Sequence, residues 1–596
     1  MAEHLLYYNE LDVTLLADSL QAYSKSIYNK LGLDPLFFCS SPACAYQSCL
    51  KVTKQQVGLI SDPEMYRFER DSATGGLVTT GTRRLAYANN CKMPVALPGE
   101  VFIPGVHYNP LEADSYIVPV DVNSLYPSQG SQTLPTGDHR WEVGVTLATL
   151  MTWNLEEGNR GFIATIDGHW PAHLHKKMKL YVPMPVRRTI GSQKGGKEHS
   201  AWLQRLNCEG TTGEKLVADL CPRVNYGVHG PVLQWAVKNG FVVTKVHKVL
   251  SFAQARWMKP FFDICVAWRK EAKAAKNKFE DMLAKLFMNS AIGKFACDVS
   301  QFKTIRVISK SDRMAVRRCL KSATFDGVWY NSCGDNMFFL MQKANTKLNF
   351  PSYVGHYITC VAKQYITKLL HDHFFAVFGF NVELVYSDTD SAVLYIIARE
   401  WWNAIKGKME REDVYHTIET DPRLAPQLDF SEYPAWHPNH DESTAGTLGL
   451  SKPEAFPLTQ GRFPAGMPTM CVALRKKMWC LMMQMFDAMV RAAMIAEGRA
   501  EEVDDIESKI KDKVRAKGVA KKWMEQNTKG NHYERLITHP EEQSTRSHAT
   551  VGAFRAHDHE IRIDIQTKKA LSSADDTTNV SFDGITALPW GYEGEE

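Results

Sequence analysis

The stretch VYSDTDSAVLY, residues 385–395, sets Asp388 and Asp390 two positions apart between apolar runs. Side chains at i and i+2 of an extended strand share a face. The pair could therefore hold one cation through hard carboxylate oxygens, the ligands Mg²⁺ prefers, with positions left for water and phosphate. A polar hairpin tip has the same composition, so another carboxylate is needed to separate the two readings. Asp121 supplies it, near the end of the apolar run in YIVPVDVNSLYPS, residues 116–128, where small residues and Pro127 form a turn able to present backbone N–H groups. Asp121 and Asp390 could share a pair of metal ions. Cations come from KLFMNSAIGKFA, residues 285–296, which reads as a helix with Lys285, Asn289 and Ile292 on one face. In WRKEAK, Arg269 and Lys273 lie one helical turn apart, so two helices could each offer positive charge to a triphosphate. Taken alone, Arg269 and Lys273 read as exposed helix charges.

The elements that must position these groups follow from pattern. NVELVY and SAVLYI are strand-like runs that make a hairpin around Asp388, Thr389 and Asp390. Pro119 cannot donate to a ladder, so the strand carrying Asp121 is expected to bulge or to leave that position unpaired. Helical and strand patterns mix throughout without internal repeats, which predicts an α+β architecture. Loops are expected at 96–115, 189–199 and 432–468, the last rich in proline. The apolar stretch MWCLMMQMFDAMVRAAMIA from Met478 is interrupted by Gln484, Asp487 and Arg491, which suits an amphipathic helix better than a membrane span.

A chain of 596 residues, 44% of them hydrophobic, can bury several cores. Its 13 cysteines are too irregularly spaced for a disulfide framework or a zinc site, and they read as reduced intracellular thiols. The net charge of +4 is weak, but basic residues cluster at 173–188 and 509–523. Such clusters mark a solvated face more often than a polyanion groove. No signal peptide is recognisable.

Together and in this order, the three stretches resemble motifs A, B and C of the family B DNA polymerases: Asp-x-x-Ser-Leu-Tyr-Pro-Ser, Lys-x-x-x-Asn-Ser-x-Tyr-Gly and Tyr-x-Asp-Thr-Asp-Ser. RRLAYANN (83–90), SQTLPTGDHRWE (131–142), LHKKMKLYVPM (174–184), LRKKMW (474–479) and KKALSSADDTTNVSFDGITALPWGY (568–592) resemble segments of the protein-primed branch, closest to the Polinton-type and linear-DNA-virus group. The resemblance implies a right hand of palm, fingers and thumb with two protein-priming insertions. It divides the chain into an exonuclease remnant (1–55), palm (56–133), an insertion contacting a terminal protein (134–248), fingers (249–298), a processivity insertion (299–346), palm again (347–475), and a thumb with C-terminal region (476–596).

The same resemblance assigns roles. Asp121 and Asp390 hold two Mg²⁺ ions, with Mn²⁺ a possible substitute, and Asp388 supports them. Ser124, Leu125, Arg269, Lys273, Lys285 and Asn289 contact the incoming dNTP. Tyr126 stacks on its sugar and excludes a 2′-hydroxyl, while Tyr87, Gly293, Thr389 and Lys477 touch primer or template. DNA template and primer, dNTPs and a terminal protein are the implied partners, with no membrane, and the host nucleus or a site of viral replication the expected location. Ile292 departs from the motif B aromatic, Trp479 from the usual Lys-x-Tyr, and YANN from Tyr-x-Gly-Gly.

Tyr8 and Asp12, in YNELD, resemble the last motif of a 3′-to-5′ exonuclease, whose other carboxylates lie on earlier motifs. The chain is thus expected to be truncated in that domain and to lack proofreading. The helix from about residue 3 to 28 is expected to pack on the palm through Leu5, Leu11, Leu15, Leu16 and Leu20. Two other readings compete: an inactive remnant that binds DNA or terminal protein, and a metal-dependent glycosyltransferase built on Asp-Thr-Asp alone. The second would not require SLYPS or the Lys285 helix.

Overall fold

A computed structural model describes residues 2–189, 196–208, 213–330, 334–343, 345–403, 405–431, 433, 438–453, 467–484, 495–501, 512–519, 521–542, 548–557 and 560–594. The architecture is α+β. At its centre lies a five-stranded antiparallel sheet in the order Val78–Thr80, Val382–Asp388, Ser391–Ile397, Ser115–Val122, Ser451–Pro453. Strand Ser115–Val122 is buried at every position except Asp121, because both faces of the sheet are covered. Helix Ser352–Lys368 contributes Ala362 and Ile366 to the same core.

Pro119 produces no bulge. The register from Asp121↔Ser391 to Ser115↔Ile397 runs unbroken, and strand Ser451–Pro453 pairs only with Val120–Val122. The Val122 N–H points to Asp390 O and the Asn123 N–H to Leu450 O. Donors alternate sides along a strand, so the donor missing at Pro119 would have faced the side of Ser451–Pro453, whose described register stops at Val120.

Helices Lys259–Ala274 and Lys278–Phe295 pack together above one end of the sheet. The second starts where Asn277 accepts from the Glu280 N–H, and Glu280 and Asp281 complement the positive end of its dipole. Helix Ser41–Thr53 joins their core through Cys44, Ala45 and Cys49. Gly355 lets helix Ser352–Lys368 approach Ala296, where a Cβ would collide with backbone.

Residues 134–255 contain a four-stranded sheet ordered Leu134–Glu142, Val242–Ala255, Arg160–His169, Arg223–His229. Residues 303–342 form a smaller sheet ordered Lys303–Ser309, Asn336–Gln342, Phe325–Tyr330, with helix Arg313–Leu320 on one face. Its core is its own: Cys319, Met337, Phe339 and Met341. A further sheet joins Leu85–Tyr87, Met467–Arg475, Met478–Gln484 and Lys513–Ala516. Residues 570–587 return to the centre, where the fully buried Arg84 donates to the carbonyls of Leu474 (2.5 Å), Ser573 (2.6 Å) and Gly584 (2.9 Å).

Three local expectations need correction. Met478–Gln484 is a strand, not a helix, because it pairs on both sides with Met467–Arg475 and Lys513–Ala516; residues 485–494 lie outside the described ones. The loop at 189–199 ends earlier, since a helix begins at Lys197. Helix Ala2–Leu31 forms as expected, but Leu11, Leu15, Leu16 and Leu20 are exposed, and its buried contacts come from Ile27 and Leu31. In the 173–188 cluster, Lys176, Lys177 and Lys179 lie over the rings of Phe380, Phe375 and Tyr592, which favours packing over a free basic face. No helix among the described residues is long and apolar enough to cross a membrane.

Candidate active site

The two carboxylates of the central sheet are brought together by pairing. Asp121 stands opposite Ser391 in register, and the Val122 N–H donates to Asp390 O at 2.8 Å, locking the end of one strand to the turn of the hairpin. Both side chains line a cleft of about 620 Å³. Burial pushes the Asp390 carboxyl above its ordinary range, with the Asp388 charge adding to the effect and Lys285 and Lys477 opposing it.

The turn after Asp121 is sharp. Ser124 adopts φ +47°, and the short helix Leu125–Gly130 follows, so Ser124, Leu125 and Tyr126 all reach the cleft. Tyr126 is half-buried, and burial raises its hydroxyl to about 12, helped by the charges of Asp390 and Asp388. Its hydroxyl occupies a seat that only glycine leaves open: a Cβ on Gly76 would lie 2.8 Å from Tyr126 Oη and 2.9 Å from Thr389 Oγ1. The opposite wall comes from the two helices, with Lys285, Asn289 and Gly293 on one and Arg269 and Lys273 on the other. Arg269 is engaged with Asp281 at 2.8 Å. Ile292 also lines the cleft, although almost fully buried.

Asp388 and Asp390 are not positions i and i+2 of one extended strand. The chain reverses at Thr389, φ +64°, so the i, i+2 rule of an extended strand stops applying there. Asp388 ends its strand 3.4 Å from Lys477 Nζ and does not line the cleft. Lys477 sits in the turn between Met467–Arg475 and Met478–Gln484, where its N–H donates to the Tyr386 hydroxyl at 3.0 Å. Trp479 packs against Tyr386 with ring centroids 5.4 Å apart. Thr389 borders the Tyr126 seat rather than the main cleft. Tyr87 lines a separate cavity of about 500 Å³, and its hydroxyl bonds Glu534. Tyr8 and Asp12 are exposed on helix Ala2–Leu31, far in sequence from every residue of the cleft.

Two of the polar lining residues, Lys452 and Asp429, carry no motif signal. Lys452 faces Asp121 across the strand pair. Asp429 is buried and accepts from Asn123 Nδ2 (2.5 Å), Thr444 Oγ1 (2.9 Å), and the N–H groups of Ser431 (3.0 Å) and Gly446 (3.3 Å), which hold its carboxyl below the ordinary range against its burial. It pins the turn that follows Asp121. Both lie in or beside the proline-rich stretch read as loop.

Among the described residues, no group of three or more His, Cys, Asp and Glu side chains converges on a point. The donors on offer are the oxygens of Asp121 and Asp390. That set fits Mg²⁺, which is commonly bound through one or two carboxylates while keeping water and substrate oxygens. The half-buried Asp390, pushed toward its neutral form, is the kind of carboxylate that a cation would return to charge.

The chain is similar to Phi29 DNA polymerase in its complex with primer-template DNA and incoming nucleotides: 15% identity, 91% of this chain, 69% of that one, TM-score 0.48. The binary complex with primer-template DNA gives 14%, 91%, 69% and 0.46. No curated protein matches the chain. Residues 106–325, which carry Asp121, Tyr126, Arg269, Lys273 and Lys285, match the family model described as DNA polymerase type B, organellar and viral.

Proposed function

We propose that the chain is a template-directed DNA polymerase, and the observation that carries this reading is the pairing of Asp121 and Asp390 at one sheet end, facing cationic helices across the cleft. The family match over 106–325 supports the same chemistry. Asp121 and Asp390 would hold divalent cations. A cation held by these two carboxylates would supply positive charge to acidify a primer hydroxyl and to offset the charge of a leaving pyrophosphate. Lys285 and Lys273 take the triphosphate, joined by Arg269 once it releases Asp281, while Asn289 and the N–H groups of the Ser124–Leu125 turn complete the cradle. Tyr126, held by its seat at Gly76, fills the space of a 2′-hydroxyl. By the sequence resemblance, Lys477 and Gly293 contact primer and template.

By the sequence resemblance, residues 134–248 contact a terminal protein, synthesis starts on a protein hydroxyl, and residues 299–346 sustain processivity. Primer extension on templates of defined order tests the central claim. The wild type should add nucleotides in the order the template dictates, and Asp390→Ala should add none. Template-independent addition, or extension by Asp390→Ala at near wild-type rate, would sink it.

A further inference from the structure

Helix Ser352–Lys368 touches two cavities. Its Thr359 lines the cleft of Asp121 and Asp390, whereas Cys360, Lys363 and Gln364 line a second cavity of about 30 Å³ together with His229. A void of that size holds one or two water-sized molecules. Its polar lining is deeply buried: Cys360 is 7% exposed, Gln364 5% and His229 2%. The Nε2 of Gln364 has no hydrogen-bond partner, so this cavity contains an amide donor that nothing in the fold uses. A buried donor left in that state favours a small polar guest.

The groups around the sulfur decide which guest would react. Lys363 Nζ is fixed by the carbonyls of Thr74 (2.8 Å), Gly75 (3.0 Å) and Thr359 (2.9 Å). Burial raises the Cys360 thiol, but the Lys363 charge, the His229 imidazole and the Thr74 N–H oppose it and together hold the thiol down at about 6. Cys49, Cys265, Cys471 and Cys480 are buried as well, and burial pushes all four thiols up. Cys360 therefore combines a thiolate, which is the nucleophilic form of the side chain, with a cavity beside it.

We propose that Cys360 is a modification site for hydrogen peroxide, which enters this cavity, takes the Gln364 amide as a hydrogen-bond donor and converts the side chain to a sulfenic acid. The sulfur attacks one peroxide oxygen, and the S–O bond forms as the O–O bond breaks. The second oxygen leaves as hydroxide and takes a proton from solvent. Sulfur loses two electrons, and the peroxide is reduced to water. Oxidation removes the negative charge beside Lys363, which grips the Thr74 and Gly75 carbonyls next to the Gly76 seat of the Tyr126 hydroxyl. The modification would thus reach the cleft from behind. It goes beyond the polymerase reading and stands apart from it, because its test reads mass and not synthesis.

That test is a brief pulse of hydrogen peroxide on the folded full chain at about pH 7.5, stopped with catalase, denatured into dimedone and read by peptide mass spectrometry. Cys360 should gain the dimedone adduct about tenfold faster than the exposed Cys39 and Cys91, the ratio expected from their thiolate fractions. Gln364→Leu and His229→Phe, checked by thermal melting, should each slow Cys360 oxidation about fivefold, the loss of one hydrogen bond. The wild-type comparison needs no variant, so it decides even where a substitution disturbs folding. Cys360 oxidised no faster than Cys39 and Cys91 would overturn the proposal. So would an unchanged Cys360 rate in both variants when they melt with the wild type. Adducts that rise in step at Cys360, Cys49 and Cys265 would trace the reaction to unfolding and overturn it too.

Discussion

The central sheet and the sheet of residues 303–342 have strands of similar length but bury them in opposite ways. Ser115–Val122 is buried on both sides at every position except Asp121, and its end, Asp121 and Val122, reaches the cleft. Lys303–Ser309 is exposed over its first five positions. A strand gripped on both faces cannot shift a side chain at its end, so the first sheet suits groups that must be held to a fraction of an ångström. An uncovered face gives no such grip but a broad adaptable surface. The contrast is between side chains fixed at strand ends and side chains offered on a strand face.

Perturbing each sheet should therefore damage a different property. The largest effect is expected for Asp121→Ala, which should slow single-turnover nucleotide addition by roughly a thousandfold or more while leaving primer-template affinity nearly intact. A weakened DNA affinity with the chemical rate preserved would make Asp121 a DNA-binding residue instead. Next, Tyr126→Ala should raise ribonucleotide incorporation by about a hundredfold relative to deoxyribonucleotides, a discrimination that rests on shape. Gly76→Ala should act in the same direction but less, because the new Cβ displaces the Tyr126 hydroxyl. Competition assays on one template position distinguish both from wild type.

Deleting residues 299–346 reverses the pattern: products should shorten by about tenfold on a long template, with single-nucleotide addition slowed less than about threefold. Equal losses in both would merge the two regions into one functional unit. The smallest effect concerns a support of the central sheet. Tyr415 of helix Val414–Thr420 donates to Ile117 O at 3.0 Å, and Glu419 of the same helix is raised to about 7 by burial, with Tyr433, Asn439, Asp413 and Lys92 around it. A carboxyl whose folded pKa exceeds its unfolded one stabilises the fold fully below the unfolded pKa of about 4.5, and loses that contribution as pH rises through about 7. Glu419→Gln should remove on the order of 1 kcal/mol of this slope, measured by denaturant unfolding at pH 5 and pH 8. A slope unchanged by the substitution would move its origin elsewhere.

The sequence made the site more legible than its surroundings. Apolar, β-branched and aromatic runs on either side of Asp-Thr-Asp specify a hairpin, and its pairing with the Asp121 strand follows from two apolar runs that need partners. The turn at Thr389 was hidden, because an αL residue within a three-residue tip leaves no trace in periodicity, and it takes Asp388 and Asp390 off a common strand face. Met478–Gln484 misled for another reason: methionine and leucine suit helix and strand alike, and two flanking strands decided the outcome. Asp429 and Lys452 are fixed by contacts with Asn123 and the Asp121 strand some 300 positions away in sequence, which no local pattern encodes. The exposure of Leu11, Leu15, Leu16 and Leu20 shows that an apolar stripe reveals a helix without revealing what covers it.

The cradle around Arg84 has a consequence for biosynthesis. Its guanidinium, whose pKa burial lowers to about 10, relies on carbonyls of Leu474, Ser573 and Gly584, the last 500 residues downstream. A ribosome adding about 5–20 residues per second leaves that arginine without its final acceptor for roughly 25–100 s. Throughout that interval the nascent chain has Asp121 and Asp390 but an unfinished centre, so the first 470 residues should depend on chaperones and should be easily degraded. A stop codon placed only a few dozen codons early would then cost the molecule its middle rather than its tail.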